Sequence, residues 1–286
     1  MRIANLTDRA VLLPGSGELT GSDTVPAVDI ASASDGRFGP DVASVYDAWD
    51  DFVAWARQAS LPQGSSVPVS ELGPPVPSPR QIFAIGLNYR DHAIEADLEI
   101  PTELVVFTKF ASCLIGPVAD VELVSDRVDW EVELVVVIGR EGLKIDEANA
   151  WDHVAGLTVG QDLSERRVQF AVKPPQFSLG KSYPGFGPLG PAVVTPDEFA
   201  DRDALAIGCS LDGETMQDGT TADFVFPVAA LVSRLSQVVR LLPGDLIFTG
   251  TPAGVGSVRK PRRYLAAGET IVSRIEGIGE LTTRMI

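Results

Sequence analysis

The sequence predicts a mainly β, α+β fold, in which a β-rich domain with short peripheral helices follows a smaller first unit. Three observations predict it. From Ile82 onward, short apolar runs alternate with Gly/Pro turns: VVFTKF, WEVELVVVIG, AGLTVGQD, ALAIGCSLDGE, DLIFTGTP and TIVSRIEGIGEL. Few stretches between them carry helical spacing, which argues against regular βαβ alternation. The chain, at 286 residues, is long enough to bury a substantial core as one large domain or two small ones.

The elements follow in order. Residues 1–70 read as a small N-terminal α/β unit, beginning with a strand at MRIANLT. VYDAWDDFVAWARQAS then places Val45, Trp49, Phe52, Trp55 and Ala59 at helical spacing, as packing residues of one helix. Residues 71–81 lie in SELGPPVPSPRQ, whose four prolines make a stiff connector. Residues 82–286 form the main domain. There a helix is expected over DEANAWDHVA, capped by Asp146 and stopped at Gly156. A second begins near Ser164, and a third near Pro227 ends before the Pro243-Gly244 turn.

Composition narrows the function classes. The formal net charge of −16 repels a phosphate backbone, so nucleic acid is excluded as a natural partner. Two cysteines, Cys113 and Cys209, make no disulfide framework and read as small buried hydrophobes. MRIANLTDRA lacks the apolar run of a signal peptide. No apolar stretch approaches the ~18 residues of a membrane span. The simplest compartment is a reducing cytoplasm.

DWEVELVVVIGR carries the first chemical signal. Strand side chains alternate between faces, so Glu131 and Glu133 point the same way, about 7 Å apart. Two carboxylates on an otherwise apolar strand repel one another and are costly to desolvate. A divalent cation compensates both charges, and oxygen-only ligands favour Mg²⁺, Ca²⁺ or Mn²⁺. Asp162 in TVGQDLSERR, after a short apolar strand, is the candidate third ligand. A solvated sheet face is the plainer alternative. In GLNYRDHAIEA, Asn88 is placed to cap a short helix whose His92 and Glu95 share a face at i and i+3. A carboxylate beside an imidazole orients it as a general base, although such a pair also occurs as a simple surface contact. The other histidine, His153, has no evident partner. Lys181 sits in the Gly/Pro loop SLGKSYPGFGPLGP, and PGDLIFTGTPAGVG sets Thr249 and Thr251 on a Gly-rich strand end that a ligand could approach closely. The latter lacks the Gly-Lys-Ser/Thr ending of a phosphate-binding loop.

Taken together and in this order, GLNYRDHAIEA, FTKFASCLIGP, DWEVELVVVIG, QDLSERRVQ, GKSYPGFGPLGP, PGDLIFTGTPAGVG and IEGIGEL resemble the fumarylacetoacetate hydrolase family. The resemblance implies a β-roll catalytic domain, a homodimer, and a divalent metal, Mg²⁺ by preference, on Glu131, Glu133 and Asp162. It implies His92 and Glu95 as a general-base pair on a lid, Lys181 as a catalytic lysine, and Arg166, Gln169 and Thr251 as substrate contacts. Three positions depart from the family's usual pattern: Pro184 replaces an Asp, Glu165-Arg166-Arg167 replaces Ala-Arg-Asp, and Phe110 replaces a Pro. The activity implied first is hydrolysis of a C–C bond in acylpyruvates, giving pyruvate and a carboxylic acid, with aromatic catabolism as the setting. Isomerisation of 2-hydroxyhepta-2,4-diene-1,7-dioate-type substrates and decarboxylation of oxaloacetate use the same site. A metal-stabilised binding protein without turnover would have no use for the His–Glu pair and Lys181 together.

Overall fold

A computed structural model describes residues 1–286. Its axis is the strand Val132–Ile138, seven residues with every side chain buried. This strand pairs antiparallel with Val154–Gln161 on one side and Leu246–Phe248 on the other. The sheet then extends through Gly187–Val194 to the N-terminal strand Arg2–Leu6, and in the other direction through Ile82–Gly86 to an open edge at Val105–Thr108. A second, five-stranded sheet runs Glu214–Thr220, Ala206–Leu211, Thr270–Ile275, Gly279–Met285, Val118–Val121. The protein is thus a sheet-dominated α+β structure. No helix is long and apolar enough to cross a membrane.

The alternation of the central strand sorts the two main cores. Val132, Leu134, Val136 and Ile138 face the larger core, shared with Ile207, Ile271 and Leu281 of the second sheet. Val135 and Val137 face a separate core built with Val45, Tyr46, Trp49 and Phe52 from the N-terminal region. Each such side chain contributes roughly 1.5–3 kcal/mol on burial. Glu131 and Glu133 share the parity of Val135 and Val137, so the strand that makes the apolar core also carries the carboxylates off its end.

Several local expectations are corrected. The helix expected from Val45 to Ala59 is two helices, Val42–Asp47 and Trp49–Ala56, broken at Ala48 (φ −114°, ψ 33°). The break leaves Tyr46 and Trp49 stacked at 5.9 Å and still buries Trp49 and Phe52. The segment after Asp146 is a 3-10 helix, Glu147–His153, without a side-chain cap. It ends three residues before Gly156, because the ladder to the central strand claims the chain from Val154 onward. The helix expected near Ser164 forms two residues later, over Arg166–Gln169: Ser164–Glu165 first pairs with Val128–Asp129, and Glu165 then caps the helix by accepting from the Val168 N–H at 2.6 Å. Asn88 does not cap the helix Arg90–Glu95. Its amide donates to the carbonyls of Phe226 and Thr249 and accepts from the Phe226 N–H, tying three segments together. The helix near Pro227 forms as expected, over Val228–Ser236.

Candidate active site

Glu131, Glu133 and Asp162 converge, each offering a carboxylate oxygen within 4.8 Å of the others. Glu131 and Glu133 come from the start of the central strand. Asp162 follows the end of the neighbouring strand Val154–Gln161, and its N–H donates to the Glu131 carbonyl at 2.8 Å. Two glutamine amides pin the backbone beneath: Gln161 accepts from the Glu131 N–H and Gln217 from the Val132 N–H, at 2.5 and 3.0 Å. Both residues went unmarked in the sequence, where a buried glutamine in a strand carries no chemical signature.

The charges are unevenly shared. Lys181 Nζ donates to Glu131, Asp162 and the Ser164 hydroxyl at 2.7, 2.6 and 2.8 Å, so all three of its N–H bonds are engaged. Burial works against its charge, but Asp162 and Glu131 outweigh burial and hold its pKa above the usual lysine value. Arg166 donates to Asp129 and Glu131, both at 2.7 Å, and to the Gln169 amide oxygen at 2.9 Å. Burial would raise the Glu131 pKa, but Lys181 and Arg166 bring it down to about 2. Glu133 has no such partner. Its only hydrogen bond comes from the Gly250 N–H at 2.8 Å. Burial, then the charges of Asp162 and Glu131, push its pKa well above the ordinary carboxylate range.

Glu133 decides whether these residues fit a metal. A carboxylate 1 % exposed beside two other carboxylates, with no cationic side chain of its own, demands a further positive charge. Three hard oxygen donors suit a divalent cation. Gly250 serves this arrangement directly. It holds φ +95°, and a Cβ there would meet Asn88 Cβ at 2.9 Å, so only glycine aims this N–H at Glu133.

A cavity of about 290 Å³ opens over the carboxylates, lined by His92, Glu131, Glu133, Arg166, Gln169, Lys181 and Thr251 among apolar residues such as Phe107, Phe170 and Phe177. Seven of the nine expected site residues therefore share one wall, while Glu95 and Asp162 stand behind it. His92 Nδ1 lies 3.5 Å from Glu95 Oε2 but makes no hydrogen bond, and the Glu95 carboxylate accepts from the Gly254 N–H at 3.0 Å. The pair is adjacent yet not closed. The Thr251 hydroxyl is spent internally, donating to the Val132 carbonyl and accepting from Gln217. His153 is remote from this site and contacts the Arg140 carbonyl at 3.1 Å. Cys113 and Cys209 are buried and free.

Two charged residues of the site were missed in the sequence. Asp129 accepts from Arg166 and from the N–H groups of Trp130, Gly256 and Ser257, so it orients the arginine and anchors the loop beyond Thr251. Lys109 has a fully buried side chain; its Nζ donates to Asp162 at 2.7 Å, to the Phe186 carbonyl at 3.1 Å and to the Lys181 carbonyl. A lysine inside the apolar run VVFTKF was the available signal. Lys109→Met is expected to weaken the protein by about 3–5 kcal/mol, because Asp162 loses a buried partner. Denaturant unfolding checks this, and an unchanged midpoint would refute it.

This fold and acidic cavity define a class. Residues 81–286 match the family described as fumarylacetoacetate (FAA) hydrolase C-terminal, and the chain belongs to that family. It is 43% identical over 235 residues to the human mitochondrial oxaloacetate tautomerase FAHD2A, covering 81% of this chain and 75% of that one. Among solved structures, an HpcE-like protein of Mycobacterium smegmatis superposes with TM-score 0.93 at 51% identity, covering 100% of this chain and 99% of the other. Maleylpyruvate hydrolase from Sphingobium sp. SYK-6, in complex with manganese(II) and pyruvate, superposes with TM-score 0.79 at 25% identity, covering 100% and 99%.

Proposed function

We propose that this protein is a divalent-metal-dependent enzyme that interconverts the keto and enol forms of a small 2-oxo dicarboxylate of the oxaloacetate kind. The observation that carries it is the one cavity shared by the acidic triad and the His92 imidazole. A hard cation held by Glu131, Glu133 and Asp162 would supply Lewis acidity at the 2-oxo oxygen. The surrounding charges favour an anionic ligand. Four buried carboxylates, with Asp129 counted, face three buried cations, Lys109, Lys181 and Arg166. A divalent ion turns that deficit of one into a surplus of one, which a substrate carboxylate neutralises.

The chain's own residues supply the rest. His92 takes the proton from the carbon beside the ketone and returns a proton to the opposite end of the enolate, a net shift from carbon to oxygen with no redox change. Glu95 stands behind it to stabilise the imidazolium. Lys181, with no free N–H, acts as a fixed positive charge and not as a direct donor. Arg166 is held rigid by Asp129 and Gln169 and presents a pre-oriented guanidinium. The likeness to oxaloacetate tautomerases supports this reaction over the C–C hydrolysis that the sequence put first.

Hydrolysis remains the second reading, favoured by the i, i+3 placement of His92 and Glu95. There His92 would deprotonate water, which adds to the distal carbonyl of an acylpyruvate and releases pyruvate and a carboxylic acid. One assay separates the two. The protein with Mg²⁺ or Mn²⁺ is mixed with oxaloacetate and, separately, with acylpyruvates, and enol absorbance and pyruvate are followed together. Accelerated loss of the oxaloacetate enol without pyruvate release is expected, and chelation should abolish it. Pyruvate from acylpyruvates with no effect on the enol would overturn the first reading in favour of the second.

A further inference from the structure

Beside the catalytic cavity lies an open pocket of about 510 Å³ whose charged lining is entirely basic: Arg127, Arg166, Arg167 and Arg262. Arg166, Phe170, Ser257 and Val258 line both spaces, so the pocket is a vestibule against the catalytic wall. This is unexpected in a chain of net charge −16. Arg166 is committed to Asp129 and Glu131. Of the other three, Arg167 pairs with Asp126 at 2.7 Å, and Arg127 lies 4.0 Å from the same carboxylate while covering the Tyr264 ring. Arg262 is exposed and forms no ion pair. Three guanidiniums against one carboxylate leave a surplus of two positive charges at the cavity mouth.

We propose that this vestibule is an anion-recognition site that selects dianionic over monoanionic 2-oxo acids, engaging the carboxylate that the catalytic cavity does not hold. The inference rests on the proposed 2-oxo dicarboxylate chemistry and adds the residues that would hold its second carboxylate. Guanidinium groups suit the task, because each offers a planar fork matched to a carboxylate and stays charged at every working pH. A patch of one sign at a cleft mouth also raises capture of the opposite charge, by ten-fold or more at low salt. Against the chain's net charge of −16, a basic vestibule favours the approach of a dianion at the cavity mouth.

The test is binding, measured by titration calorimetry at low ionic strength on the full chain supplied with Mn²⁺, with 2-oxoglutarate as dianion and 2-oxobutyrate as monoanion. The Arg167→Gln/Arg262→Gln double variant changes two exposed side chains, so the fold is retained. It should bind 2-oxoglutarate about ten-fold more weakly than the wild type, and 2-oxobutyrate nearly unchanged. Added salt should erase the wild-type preference. Arg240→Gln, a surface control paired with Glu141 outside both cavities, should match the wild type. Equal losses for both ligands, no loss, or no binding of 2-oxoglutarate by the wild type would overturn the vestibule. None of these readouts requires turnover, so failure of the proposed reaction shows separately in the enol assay.

Discussion

Glu131→Gln and Asp162→Asn are each expected to abolish turnover and weaken divalent-metal binding, to be read by activity after metal titration and by calorimetry. A neutral amide is a poor substitute for a hard anionic ligand. The two variants should also weaken the fold, because each removes a partner from buried cations. Asp162→Asn leaves Lys109 and Lys181 under-compensated, and Glu131→Gln does the same to Lys181 and Arg166. Breaking such a pair costs about 3–5 kcal/mol. Glu133→Gln should differ in sign. Glu133 has no cationic partner and is repelled by its neighbours, so its amide relieves a buried charge. The metal-free Glu133→Gln protein should therefore melt above the metal-free wild type, while its metal affinity and activity fall. Full activity of Glu131→Gln after exhaustive chelation would refute the three-carboxylate site. A lower melting point for metal-free Glu133→Gln would refute the charge account.

His92→Ala is expected to lower the catalysed rate by about 10²–10⁴ while metal affinity stays near that of the wild type, since the imidazole touches the cavity and none of the three carboxylates depends on it for a hydrogen bond. Stopped-flow decay of the enol gives the rate and calorimetry gives the affinity. Glu95→Gln should act in the same direction but more mildly. Glu95 does not line the cavity, and its distance of 3.5 Å from Nδ1 makes it a support for the charged imidazole and not a proton acceptor from substrate. Burial would raise its pKa, but His92 and the Gly254 N–H outweigh burial and keep it below the usual value, so it remains an anion able to stabilise that charge. Wild-type enol decay in His92→Ala would remove the residue from the mechanism.

Much of the site is legible along the chain because it depends on short spacings. The parity of Glu131 and Glu133 on a strand, and the i, i+3 spacing of His92 and Glu95, follow from backbone geometry and survive folding unchanged. Helix detail was less legible. The break at Ala48 and the 3-10 turn before Val154 arise because neighbouring aromatic packing and a strand ladder compete with weak local propensity.

By itself, then, the sequence determined a sheet-rich α+β fold, the carboxylate pair with its strand-end partner Asp162, and the acid–imidazole pair. The two pairs, Glu131 with Glu133 and His92 with Glu95, are encoded by residue type at fixed local separation, whereas Asp162 is carried to them by the pairing of Val154–Gln161 with the central strand. Only the tertiary structure decided how the charges are shared. Lys109 reaches Asp162 across 53 positions, and Arg166 reaches Asp129 across 37. Lys181 spends every N–H on Glu131, Asp162 and Ser164, which leaves Glu133 as the unpaired carboxylate. The vestibule likewise assembles Arg127, Arg167 and Arg262 from distant segments. Electrostatic energy depends on distance through space and on burial, and neither quantity exists until the chain has folded.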